Sequence, residues 1–118
     1  LHAVTDAILG AIGKGDIGRH FPPGQAQWRN ADSARFVSFA VDQVHALGGR
    51  LAHLDVTIIC EAPRITPHHG MMAARLGAIT GLDADRVSIK ATTTERLGFT
   101  GRNEGIAAQA TATVRLPI

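Results

Sequence analysis

The stretch KATTTERLGFTGRNEGI, Lys90 to Ile106, concentrates the side chains most able to do chemistry. Three consecutive threonines, Thr92, Thr93 and Thr94, precede Glu95; Phe99, Arg102 and several glycines follow. Two readings of this pattern stand side by side. Thr92-x-x-Glu95 has the spacing of a capping box, a common way to begin a helix. The same residues also suit an anion site, because backbone N–H groups at a helix start beside threonine hydroxyls favour a phosphate. In that reading Glu95 would hold a divalent cation bridging phosphates. Lys90 and Arg102 would neutralise further charge, Arg102 through its two-pronged fork, and the glycines would let backbone approach a ligand closely.

Other candidates are less specific. His2 and Asp6 are four residues apart and share one helix face. They either bond to each other at the surface, or His2 ligates a metal while Asp6 supports it or touches substrate. Two groups do not complete a zinc site, which needs three protein ligands and an open position. His68 and His69 are adjacent beside Pro67 and read as polar residues at a helix start. Asp16, in GDIG, reads alone as a turn residue. Cys60 ends a strand before a proline turn, with no base or CxxC partner to make it a nucleophile, so it reads as a small buried or pocket-wall residue.

Three helices and three strands must position these groups. The repeat Leu1, Val4, Ile8 and Ala11/Ile12 predicts a helix over residues 1–12, stopped by Gly13 and Gly15. Residues 15–33 read as a long, ordered, polar loop. Asp32 or Ser33 caps a second helix reaching about Leu47, with Phe36, Val37, Ala40, Val41 and Val44 on its apolar face and Gly48–Gly49 as its stop. In LAHLDVTIIC, Leu54, Val56 and Ile58 alternate with His53, Asp55 and Thr57, which predicts a strand with one polar face. A proline-rich turn leads to a helix over residues 69–80, with Met71, Met72, Leu76 and Ile79 inward and Gly81 as its stop. Strands follow over residues 86–91 and along GIAAQATATVRL, where Ala107, Ala108, Ala110 and Ala112 permit close approach of another surface. Helices alternating with strands predict a sheet covered by helices.

The bulk composition narrows the function classes. The 118 residues suit a single domain over 1–118, with 45% hydrophobic and 19% charged residues. The net charge is only +2, basic residues are scattered, and there is one Trp and no Tyr. That composition argues against nucleic-acid binding. No apolar run is long enough to cross a bilayer and no signal peptide is visible. The single cysteine cannot pair within the chain, which fits a reducing compartment.

Taken together, HAVTDAILGAIGKGDIGRHFP, DVTIICEAPRITPH and VSIKATTTERLGFTGRNEGIA resemble the 2-C-methyl-D-erythritol 2,4-cyclodiphosphate synthase family of the non-mevalonate isoprenoid pathway. The resemblance runs from His2 to near the C-terminus, and KATTTE-x-LGFTGR-x-EGIA is its most specific part. It implies an α+β fold, with helices covering one face of a mixed sheet, in a homotrimer with active sites between subunits. The implied reaction is cyclisation of a cytidine diphosphate ester of methylerythritol, in which a phosphate of the substrate attacks the diphosphate and expels CMP. Zn2+ and a second divalent cation, Mg2+ or Mn2+, are the implied cofactors. A bacterial cytoplasmic or plastid location and a possible fusion to a cytidylyltransferase domain accompany them. The same residues would also serve a non-catalytic trimeric module that binds cytidine nucleotide or phosphate.

Residue by residue, the resemblance implies that His2 binds zinc. It implies that Asp16, Ile17, Gly18, Phe21, Pro22, Pro23, Gly24 and Gln25 line the methylerythritol part. Cys60, Glu61, Ala62, Pro63, Arg64, Ile65 and Thr66 form the implied cytosine pocket. Thr92, Thr93, Thr94 and Glu95 receive the diphosphate, with Thr93 stabilising the transition state and Glu95 holding the second metal. Phe99 and Arg102 complete the surface, Arg102 looking toward the threefold axis. Two departures stand out: Gln25 replaces a common aspartate, and Arg64 a common lysine. The family's Asp-x-His zinc ligands, and a histidine–serine pair just before the first helix, have no counterpart here. The helical pattern begins already at Leu1, so N-terminal strands that would carry such ligands are expected ahead of it.

Overall fold

The computed structural model describes residues 1–22 and 32–118. Helix α1 spans His2–Ala11 and buries Val4, Thr5, Ile8 and Leu9, two pairs at i, i+4 that form one stripe. Its polypeptide leaves the helix through Gly13, whose φ of 70° suits a residue without Cβ. Residues 15–22 are not wholly irregular as the sequence suggested. Asp16 accepts a hydrogen bond from the Arg19 N–H at 3.0 Å and caps a single helical turn, α2, Ile17–His20. Helix α3, Ser33–Ala46, is capped by Asp32, which accepts from the Ala34 N–H at 3.0 Å. It buries all five predicted residues, Phe36, Val37, Ala40, Val41 and Val44.

Strand β1, Arg50–Ile59, is the centre of a three-stranded sheet of order β2-β1-β3. Helix α4, His69–Thr80, carries the chain over to β2, Val87–Thr92, which pairs parallel to β1. Parallel pairing requires such a crossover. Helix α5, Gly98–Gly101, is one turn, and β3, Ala107–Arg115, returns antiparallel on the other side of β1. Helix α4 stops at Gly81 with φ 81°, the left-handed cap expected of that glycine.

The register explains the layers. Leu54, Val56 and Ile58 pair with Val87, Ile89 and Ala91 on one side and Ala112, Ala110 and Ala108 on the other. That face joins Val4, Ile8, Leu9, Val37, Val41 and Val44 in one core. Each fully buried Ile, Leu or Val there contributes about 1.5–3 kcal/mol of transfer free energy. The opposite face carries Asp55, Thr57, Lys90, Gln109 and Thr111. The chain is thus a mixed α+β structure, and the predicted polar face of β1 is real.

One sequence expectation needs correction. Met71 is not packed inward: it is 68% exposed, at the edge of an apolar cavity of about 370 Å³ that it lines with Val4, Val56, Ile58, Met72, Leu76 and Ile89. The small residues of β3 do admit a neighbouring surface: Ala110 and Ala112 pack against the core beneath α1, while Ala108 is exposed. Among the described residues no helix is long and apolar enough to cross a membrane.

Candidate active site

The sheet's C-terminal end builds a cleft. Strands β1 and β2 run parallel, so both end on the same side, β1 into Cys60 and β2 into Thr92. The Cys60 N–H donates to the Thr92 carbonyl at 3.1 Å, which extends the ladder by one residue. A cleft of about 200 Å³ opens there, lined by Cys60, Glu61, Pro63, Arg64, Ile65, Thr66, Ala91, Thr92 and Thr93. Two stretches some thirty residues apart in sequence therefore share one concavity. Cys60 is 5% exposed and its thiol lies 3.6 Å from the Pro63 carbonyl, to which it donates, so it is a buried wall residue. Ala62 is exposed on the rim of this turn.

The threonine stretch does not start a helix. Glu95 and Arg96 have φ of 53° and 68°, left-handed values that turn the chain sharply where the capping box would have continued it. For residues other than glycine such values cost of order 1–3 kcal/mol each and persist only when the surroundings hold them. The Arg96 N–H donates to Glu61 Oε1 at 2.9 Å, the Glu95 N–H to Thr93 Oγ1 at 3.2 Å, and the Leu97 N–H to the Thr94 carbonyl at 3.0 Å. Gly101 closes the turn from below: a Cβ there would lie 2.2 Å from the Arg96 carbonyl carbon. Tertiary bonding thus overrides the local capping pattern, and the next helix, α5, begins only at Gly98.

This turn separates the three threonines. The Thr94 hydroxyl donates to the Leu97 carbonyl at 2.6 Å and meets the Thr100 hydroxyl at 2.9 Å. Its single proton is committed to Leu97, so Thr100 is the donor in the second bond. Thr100 is itself 4% exposed. Thr92 and Thr93 are exposed at the cleft; Thr92 Oγ1 donates to the Thr93 carbonyl at 3.2 Å. Among the described residues the Thr93 hydroxyl only accepts, which leaves its proton for an anion. The Glu95 side chain is exposed beside it.

The remaining predicted residues fall in two other places. Phe99 is 51% exposed on α5. The Arg102 fork is closed on Glu104, at 2.8 and 3.1 Å, and this pairing raises the guanidinium pKa above its ordinary value. Lys90 pairs with Asp55 across the strands at 3.0 Å. At the N-terminal side, His2 and Asp6 do not bond each other as one reading had it. His2 Nε2 lies 3.4 Å from Ser33 Oγ, and Asp6 instead accepts from the Ile17 N–H at 2.8 Å. Asp6 thereby fixes the loop bearing Asp16, Ile17 and Gly18 to α1. Phe21 stacks on Phe36 and Phe39 with ring centroids 4.7 and 4.9 Å apart, and exposed Pro22 follows it. The expectations for Pro23, Gly24 and Gln25 lie outside the described residues.

Within one chain, no hydrogen bond or ion pair among the described residues joins the His2–Asp16 group to the Thr93–Glu95 group. Nor do the described residues contain three His, Cys, Asp or Glu side chains placed to share an ion. Sequence reasoning missed Glu61 as the anchor of the turn and Thr100 beneath it, and it read Asp6 as a partner or support of His2 rather than as the acceptor for Ile17.

A model of the YgbB family matches residues 1–115. The bifunctional enzyme IspD/IspF of Sphingopyxis alaskensis is 65% identical over 117 residues, covering 99% of this chain and 30% of that relative. The chain therefore spans about a third of the length of such curated relatives. Its fold matches the bifunctional IspDF of Campylobacter jejuni with a TM-score of 0.93 at 36% identity, over 98% of this chain and 31% of that one. It matches a 2C-methyl-D-erythritol-2,4-cyclodiphosphate synthase in a CDP-bound form with a TM-score of 0.86 at 31% identity, over 97% of this chain and 73% of that one. The family model, the relatives and the shared fold agree: the chain belongs to the YgbB family.

Proposed function

We propose that this chain carries the cyclodiphosphate synthase activity. It converts 4-diphosphocytidyl-2-C-methyl-D-erythritol 2-phosphate to the cyclic diphosphate and CMP. An oxygen of the 2-phosphate attacks the diphosphate phosphorus nearer the methylerythritol, and the bond from that phosphorus to the bridging oxygen breaks. The electron pair leaves with CMP, so no oxidant, reductant or protein nucleophile is required. The observation that carries this reading is the shared cleft of Cys60–Thr66 with Thr92 and Thr93.

The residues divide the work. Main-chain groups of Cys60, Glu61, Ala62, Pro63, Arg64, Ile65 and Thr66 orient the cytosine, and Arg64 adds charge near the ribose phosphate. The Thr93 proton is aimed at a diphosphate oxygen, where it gains strength as charge develops. Thr92 bounds the same surface. Holding both phosphates in one concavity makes the attack intramolecular in fact as well as in name. Asp16, Ile17, Gly18 and Phe21 fit the methylerythritol end, with Phe99 and Arg102 at the edge.

Family membership implies divalent metal use. Glu95 is an exposed carboxylate, and one carboxylate plus substrate phosphates is a usual setting for Mg2+ or Mn2+. Such an ion would neutralise charge spread over the phosphate oxygens. Zinc is different: the described residues offer His2 but no group of three ligands, so they do not fit a zinc centre with three protein ligands. The separation of the His2–Asp16 group from the Thr93–Glu95 group supports a site completed between subunits, in a homotrimer. The bifunctional relatives support a fusion to a cytidylyltransferase domain.

Phosphorus-31 NMR of the protein incubated with substrate and divalent metal tests the reading. Cyclic diphosphate appearing together with CMP is the expected result. Saturable CDP binding with no cyclic product would replace it with the non-catalytic cytidine-nucleotide module.

A further inference from the structure

The other end of the sheet holds a cluster that the proposed reaction does not use. Arg50 opens β1 and is the cross-strand partner of Arg115, which closes β3. Their neighbours Leu51 and Val114 turn toward the core, so both arginines point to the outer face. Arg86, one residue before β2, completes the group. All three are exposed, and together with Leu51 and Ala52 they line a pocket of about 160 Å³. The β-bulge between Leu51 and His53 shapes its floor.

Like charges directly opposite each other across two strands oppose folding. Among the described residues no carboxylate pairs with them. None of the three guanidinium groups makes a hydrogen bond or ion pair among the described residues, and Asp83 and Asp85, beside Arg86 in sequence, do not pair with it. By contrast Arg75, Lys90 and Arg102 each have a carboxylate partner. Three unpaired planar forks around one small concavity match the oxygens of a tetrahedral anion. The pocket is nine residues of β1 from the cleft at Cys60, roughly 30 Å at the strand's rise.

We propose that Arg50, Arg86 and Arg115 form a second anion site, separate from the cleft, that takes a phosphoryl group, either inorganic phosphate or the terminal phosphate of a small metabolite. The site holds whether or not the cleft performs the proposed cyclisation. Its test is an amide NMR titration of the full chain at constant ionic strength, with inorganic phosphate in one arm and glycerol phosphate in the other.

Saturable shifts at Arg50–Ala52, Arg86 and Arg115 are expected, and the arm with the tighter Kd identifies the source. Arg50→Gln and Arg86→Gln should each weaken Kd by about tenfold, the loss of one charge-assisted bond. Thr93→Ala should leave it unchanged. Shifts confined to Cys60–Thr66 and Thr92–Thr93 overturn the proposal, as does a linear response reproduced by chloride. Saturation by a glutamate-rich peptide with no response to either phosphate also overturns it, in favour of a protein docking surface.

Discussion

Thr93 and Thr94 are neighbours of one type with opposite surroundings, and replacing each by valine separates their roles. Valine keeps the branched shape and deletes only the hydroxyl. In Thr94→Val the Leu97 carbonyl loses a 2.6 Å bond and the Thr100 hydroxyl a 2.9 Å bond. Thr100 is 4% exposed and cannot turn to water for a replacement. The Leu97 carbonyl keeps its 3.1 Å bond from the Gly101 N–H, so the stranded group is the Thr100 hydroxyl, at about 1–3 kcal/mol. In Thr93→Val one 3.2 Å bond is lost, and the exposed Glu95 N–H finds water instead, a change of roughly 0.5 kcal/mol. For a chain of this size the Thr94 loss lowers Tm by roughly 3–10 °C. Turnover runs the other way: removing a donor aimed at developing charge costs about 100-fold or more in kcat. Urea unfolding followed by circular dichroism, beside steady-state CMP release in the same buffer, reads both quantities. Equal destabilisation by the two variants, or a Thr94→Val protein of undiminished stability that has lost turnover, refutes the division.

Glu61→Ala removes the acceptor for the exposed Arg96 N–H and should cost about 0.5–1.5 kcal/mol in the same urea experiment, with cytidine-nucleotide affinity reduced. Gly101→Ala places a methyl group 2.2 Å from backbone and should destabilise by about 3 kcal/mol, with wild-type stability contradicting the turn geometry. Ile8→Ala, at a fully buried position, should cost about 2–5 kcal/mol. Lys90→Met breaks a half-exposed pair with Asp55 and should change stability by less than about 1 kcal/mol. A loss of roughly 3 kcal/mol or more, the signature of a buried pair, would show that the polar sheet face is covered in the assembled protein.

The elements were legible where periodicity is strong. The stripe of α3 and the alternation of β1 each answer to a single burial surface, so pattern and structure coincide. Met71 misled because it has the helical spacing of a core position yet borders an open apolar cavity, while Gly77 of the same helix lets the Leu82 carbonyl come close. Thr92-x-x-Glu95 misled for a different reason. A capping box stabilises a helix start by tenths to about 2 kcal/mol, a preference that the Glu61 bond and the packing of Gly101 outweigh. No glycine marks the left-handed residues Glu95 and Arg96, so composition could not announce the turn. The shared cleft itself was legible only through the family resemblance, since nothing local to residues 60–66 points to residues 92–93.

The strained turn also explains why the two walls of the cleft act as one body. Glu61 belongs to the turn after β1, and its carboxylate holds the Arg96 N–H of the loop after β2. The Cys60–Thr92 backbone bond ties the same two segments a few ångströms away. In the proposed reaction a cytidine held by residues 60–66 would therefore be fixed relative to the Thr93 hydroxyl by one backbone bond and the Glu61 carboxylate. That rigidity is what an intramolecular phosphoryl transfer needs, because its rate depends on the reacting oxygen and phosphorus staying in line. The left-handed residues follow from the same demand. A relaxed helix start would carry Thr93 and Thr94 around a common axis. The reversal at Glu95 and Arg96 leaves Thr93 at the cleft and drives Thr94 into the support beneath it. The conformational cost at two residues thus secures both a free donor and the scaffold that aims it.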